Sequence, residues 1–252
     1  MEKLKSLNSS ELAALIKKYS PFFKEIRKRI TIVLAVFAVA TFAGFIFYEK
    51  IISQLLSVFS LQGVNIVFTS PFQFINLSIS CGITTGLIVV MPMLITQVIA
   101  FLGPALKKYE YKIVVRLLPF SIILFLIGFV FGSLIMKWQI QIFLNRSISL
   151  GIGNILDISN LLSTILITSS LMGIGFQFPI ILLLLMHIGI INHQQISKKR
   201  PWFYLGSVLF ALLLPPDSIV ADIFLSLPLI FLFESTLVLK RLLDKKRDRS
   251  QS

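Results

Sequence analysis

Lys and Arg in this chain are confined to alternate gaps between its apolar stretches. Clusters at residues 3–29, 107–116, 198–200 and 240–249 hold 21 of the 24 Lys and Arg residues, and the intervening gaps hold only Lys50, Lys137 and Arg146. Loops that stay on the cytoplasmic side of a membrane retain Lys and Arg, whereas translocated loops lack them. The alternation therefore specifies an even number of spans with both termini on the cytoplasmic side.

Composition bears on what such a chain binds. It is 56% hydrophobic and 14% charged, with a mean hydropathy of +0.90, outside the range of ordinary soluble domains. A net charge of +13 often signals nucleic acid. Here the charge lies in loops between apolar runs, so anionic lipid headgroups are the expected partner and nucleic acid is not. The single cysteine, Cys81, excludes an internal disulfide and a multi-cysteine metal site. The first apolar run begins only after about 29 mostly polar residues, so no cleaved signal peptide is expected.

A span needs about 20 apolar residues. Six runs qualify in position: 30–48, 72–102, 113–136, 161–188, 202–214 and 219–239. Residues 1–29 form a basic cytoplasmic segment and 240–252 a basic tail. Pro92 and Pro119 fall inside the second and third runs, and Gly173, Gly175 and Pro179 interrupt the fourth. The fifth run is short, so the last pair is either a re-entrant hairpin or two spans joined by a turn at Leu214, Pro215, Pro216 and Asp217. Two spans are preferred, because the sixth run is long enough alone and a short helix thins the bilayer at modest cost. Leu214 is then expected beside the turn and near water. The translocated segments are not bare: Ile51, Leu55, Leu56, Val58 and Phe59 are spaced as on an interfacial helix, followed by an extended stretch at 65–68. Trp138, Ile142, Phe143 and Leu144 have helical spacing in the second segment, and Asp157 is placed to cap the fourth span. Ser9, Ser10 and Glu11 open an amphipathic cytoplasmic helix.

No enzyme chemistry is expected. The two histidines, His187 and His193, form no metal pair, and no phosphate loop is present. Polar residues inside spans are costly and are functional candidates. Glu234 is either snorkelling towards the cytoplasmic interface or functional; Asp222 is either a cap beside the turn or functional. Gln177 lies mid-span, too deep to snorkel. Its amide pairs locally, near the carbonyl of Gly175 that Pro179 frees, or serves a cavity or a partner subunit. Two acids sit in basic surroundings, Glu25 and Glu110. Each forms either a simple intrahelical pair, such as Glu25 with Arg29, or an anionic receptor for a guanidinium. A small-molecule or ion permease using Gln177, Asp222 and Glu234 is the alternative reading, although no inverted repeat is evident; an insertase is a third, with only Gln177 central enough to serve it.

From Pro21 to Arg241 the chain resembles the TatC family, the multispanning receptors of the twin-arginine translocase. The matching segments are Glu25, Arg27 and Arg29 before the first span; Ser70, Pro71 and Phe72 entering the second; Gln97, Phe101, Pro104 and Glu110 around the first cytoplasmic loop; Gly175 to Pro179 in the fourth; Lys199, Arg200 and Pro201 opening the fifth; Pro215, Pro216 and Asp217 closing it; and Leu227, Pro228 and Glu234 in the sixth. Each is weak alone; their order against six spans makes the match specific. The resemblance implies an all-α polytopic membrane protein, six helices in a cupped bundle with short fifth and sixth helices. It implies a cytoplasmic site for twin-arginine signal peptides of folded cargo at Glu25 and Glu110, with Arg27 and Phe101 nearby. It also implies recruitment of TatA and often TatB subunits, oligomers within a Tat complex, transport driven by the proton-motive force, and no cofactor. A bacterial inner membrane is the expected location, with an organelle-encoded protein the alternative. This chain departs from the family pattern at several points. Gln177 replaces the usual acid and Leu214 the usual threonine, for which Asp222 is a candidate substitute. Phe22 and Phe23 replace His-Leu, and no proline lies in 49–70.

Overall fold

The computed structural model describes the backbone of residues 9–59, 65–67, 70, 72–102, 108–151, 155–187, 189, 191, 193–215 and 218–249. It describes their side chains except at 9–19, 21–22, 58–59, 65–67, 102, 108–114, 116–117, 155–156, 187, 193 and 243–249. The chain is helical almost throughout: α1 (Ser9–Ile46), α2 (Tyr48–Phe59), α3 (Gln73–Leu102), α4 (Lys108–Ser149), α5 (Ile158–Gly175), α6 (Phe178–His187), α7 (His193–Lys198), α8 (Arg200–Leu212) and α9 (Ile219–Arg249). Among the described residues, five stretches are long and apolar enough to cross a membrane: Phe23–Ile46, Gln73–Phe101, Leu118–Ser149, Ile158–Met186 and Ile219–Leu242. The sixth expected run is α8, whose 13 residues reach only about 20 Å against a core of about 30 Å.

Several helices overrun their expected ends. α1 joins the expected cytoplasmic helix to the first span in one 38-residue rod, and α4 carries its span on through Trp138 and Phe143 to Ser149. α9 extends through the basic tail. Backbone pairing within a helix does not depend on the lipid boundary, so a helix ends where a cap or turn stops it. Gly151, at φ 68°, follows the last turn of α4 in this way.

Close packing rests on small residues, as it must where lipid offers no hydrophobic drive between helices. On α3, Gly82 and Gly86 face α1: a side chain at Gly82 would meet the Thr41 carbonyl oxygen at 2.7 Å. On α4, Gly128 and Gly132 receive Phe176, Met172 and Ser169 of the following helices. Both pairs have the Gly-x-x-x-Gly spacing that lets backbones approach, a signal legible in the sequence.

One end of the bundle is closed by α2 and a two-stranded parallel ladder of β1 (Asn65–Val67) and β2 (Ile155–Asp157), pairing Asn65 with Ile155 and Val67 with Asp157. The strand β1 matches the expected extended stretch; β2 was not foreseen, so the chain is all-α apart from this ladder. α2 lays Ile51, Ile52, Leu55 and Leu56 on a cluster built by Leu77, Cys81, Leu162 and Ile165, and Tyr48 meets Phe74 edge-on at 5.1 Å. Asp157 caps α5 as expected, accepting from the backbone of Ser159 and Asn160, and also accepts from Gln73 Nε2 at 2.5 Å. Leu214 departs from expectation. It is 4% exposed, packed with Met172, Ala211 and Leu225, because the end of α8 lies against α5 and α9.

Candidate functional site

Glu25 and Arg29 are one turn apart on α1, so both point the same way. Arg29 donates from Nη2 and Nε to Glu25 Oε1, at 2.6 and 3.2 Å. Its Nη1 donates to Gln97 Oε1 at 2.9 Å and to the Gln97 carbonyl at 3.4 Å. One guanidinium thus ties the basic end of α1 to the last turns of α3. Arg29 is 22% exposed and Glu25 41%, so the carboxylate remains accessible, and its Oε2 makes no hydrogen bond among the described residues. The intrahelical pair considered from the sequence is present, but it belongs to an interhelical bridge.

Beneath this bridge lies a cavity of about 500 Å³ between α1, α3 and α6. Ile26, Ile30, Val98, Phe101, Ile181 and Leu184 contribute to its apolar wall, and Arg29 and Gln97 are its polar lining side chains. The volume falls within the range of ordinary ligand pockets, roughly 300–1,000 Å³.

The expected signal-peptide residues are distributed as follows. Glu25 belongs to the bridge and Phe101 lines the cavity. Arg27 is exposed and outside the cavity lining, its carbonyl accepting from Thr31 Oγ1. Glu110 lies in the first turn of α4, and its side chain is outside the described residues. Sequence reasoning missed Arg29 and Gln97 as members of the site. The four-residue spacing from Glu25 was visible, whereas contact with Gln97, 68 residues away, was not.

The intramembrane polar residues have separate roles. Gln177 is 2% exposed at the break between α5 and α6. Its backbone N–H turns to Ile174, three residues back, which releases the Gly173 carbonyl. The side-chain Nε2 then donates to Gly173 O at 3.5 Å and to Ser121 O on α4 at 3.1 Å, while Ser121 Oγ donates to Oε1 at 2.6 Å. Both N–H groups and the oxygen are engaged within the chain. Glu234 accepts from Tyr204 Oη at 2.5 Å and lies 3.5 Å from Arg200 Nε, tying α9 to α8. Asp222 is buried in the first turn of α9, its backbone N–H donating to Ser218. It lies twelve residues from Glu234, about 18 Å along the helix. Pro215 is exposed beyond α8, while Pro216 and Asp217 lie outside the described residues. Among the described residues these groups form no continuous polar route.

Long apolar helices, small-residue seams and a charged bridge over an apolar cavity define a polytopic helical membrane protein. The chain belongs to the TatC family: residues 21–228 match the family model for "Sec-independent protein translocase protein (TatC)". It is 28% identical to Bacillus subtilis TatCy over 239 residues, 90% of each chain, and 29% identical to Escherichia coli TatC over 232 residues, again 90% of each. A tatC-like protein, ycf43, of Gracilaria tenuistipitata is 28% identical over 88% of this chain and 93% of its own. The fold matches crystal structures of the twin-arginine translocase receptor TatC with TM-scores of 0.76 and 0.73, at 24% and 25% identity, covering 86% and 87% of this chain and 98% of each structure. The protein is therefore a membrane component of Sec-independent protein translocation.

Proposed function

We propose that this chain binds twin-arginine signal peptides of folded cargo at the face carrying Glu25 and Glu110, with Phe101 beside them. It then recruits TatA-type and TatB-type subunits for transport driven by the proton-motive force. The observation that supports this is the bridge of Glu25, Arg29 and Gln97 over an apolar cavity. An incoming guanidinium takes the open Oε2 of Glu25 and shares or displaces Arg29 at Oε1. The exchange replaces one guanidinium by another, and Gln97 keeps Arg29 paired. A lysine offers no planar fork and cannot reproduce the bidentate contact. Arg27, exposed on the same turn of α1, screens the approach by repelling cations that do not reach the acid. Gln177 and Glu234 then hold helices together, Asp222 is an intramembrane polar candidate for a partner-subunit contact, and Pro215, Pro216 and Asp217 shape the turn.

The orientation follows from the basic clusters: six spans including α8, both termini cytoplasmic, in a bacterial inner membrane, within an oligomeric complex. Site-specific photocrosslinking at positions 25 and 110 tests the site, using twin-arginine and twin-lysine signal peptides. The arginine form is expected to label strongly and the lysine form weakly, with Glu25→Ala and Glu110→Ala each abolishing export while still inserting. Equal labelling by both peptides, or full export by the double variant, overturns the assignment.

A further inference from the structure

A second cavity, of about 370 Å³, opens between α6, α8 and α9, with Ile181 in the wall between it and the first. Trp202 and Phe210 of α8, Phe178 and Ile181 of α6, and Leu229 and Leu232 of α9 are among its walls. Its one lining hydroxyl, Ser207, already donates to the Phe203 carbonyl at 2.9 Å. From Trp202 to Phe210 the groove follows eight residues of helix, about 12 Å, close to the roughly 15 Å depth of one lipid leaflet. Lys198 and Lys199, both exposed, and Arg200 precede Trp202 at one end. Arg200 is offset by Glu234, 3.5 Å away, so the three cations and one acid leave a net charge of about +2 there. Trp202 is 73% exposed, a placement typical of an aromatic residue at the membrane interface.

We infer that this groove holds one acyl chain of an anionic phospholipid whose headgroup rests on Lys198 and Lys199. Charge complementarity at the Lys198 end selects the headgroup, and the apolar wall accepts a chain that makes no hydrogen bonds.

Gly206 provides a clean test. It lines the groove, and a Cβ added there meets nothing within 4 Å, so Gly206→Leu fills the space without disturbing the packing. The full-length protein would be purified in detergent, supplied with equal phosphatidylglycerol and phosphatidylcholine, and weighed intact by native mass spectrometry. The wild type is expected to retain phosphatidylglycerol preferentially. Lys198→Gln and Lys199→Gln should each reduce that preference about fivefold while a lipid chain is still held. Gly206→Leu should lose the bound lipid of both kinds while melting at the wild-type temperature. Equal retention of the two lipids by the wild type overturns the inference, as does unchanged retention by Gly206→Leu. Loss of a single-span partner from Gly206→Leu with lipid retention intact also overturns it, and makes the groove a helix-docking site.

Discussion

Gln177→Leu tests the polar bridge between α4 and the break in the fourth span. Leucine keeps most of the shape and removes the amide. Two interhelical bonds to Ser121 are lost, each worth about 0.6 kcal/mol in membrane proteins. The Gly173 carbonyl, which the helix break has already deprived of its backbone partner, loses the side-chain donor as well. An orphaned buried carbonyl costs about 1–3 kcal/mol, and the long 3.5 Å bond puts this one at the lower end. The expected loss is about 2–3 kcal/mol. Unfolding in mixed micelles titrated with sodium dodecyl sulfate, followed by far-ultraviolet circular dichroism, measures it. Ser121→Ala should cost about 1 kcal/mol, and the double variant should fall short of the sum by about 0.6, because both remove the same bond. Gln177→Glu, which restores the acid usual in the family, should do worse than leucine at pH 8, because it adds to the same lost donors a buried negative charge facing two carbonyl oxygens. Wild-type stability in Gln177→Leu, or strict additivity with Ser121→Ala, would refute the bridge.

Other perturbations separate the packing claims. Gly82→Leu should destabilise by about 2 kcal/mol or more, because its Cβ meets the Thr41 backbone, whereas Gly206→Leu should leave the melting temperature unchanged; detergent thermal melts followed by size exclusion compare them. Leu214→Asp and Leu184→Asp should deplete the protein from membranes to a similar degree on immunoblots, since the two leucines are 4% and 5% exposed; survival of Leu214→Asp alone would return that residue to the water-facing turn. Asp157→Ala removes the α5 cap and the bond from Gln73, and should cost about 1–2 kcal/mol in the same micelle titration.

The class of this protein was legible because its determinants are local. Span length, the alternation of Lys and Arg, and the Asp157 cap depend on neighbours in sequence, so the helices appear close to where the apolar runs lie. Helix ends were less legible: α1, α4 and α9 run past the ends of their apolar runs because backbone hydrogen bonding continues regardless of side-chain polarity. The Glu25–Arg29 pair could be read from its four-residue spacing. That Gln97 completes the bridge could not, since only the packing of α1 on α3 brings residue 97 to residue 29. The same holds for Gln177, whose depth identified it as a buried amide while its partner, Ser121, depended on the register between α4 and the following helices. Leu214 illustrates the limit most directly. Its sequence neighbours place it at a turn, but the packing of the end of α8 against α5 and α9 buries it. Local chemistry thus determined which segments are helical and which belong in the membrane. Tertiary packing decided which polar groups meet and which apolar ones are hidden, because contact across helices is set by crossing and register that no single segment encodes.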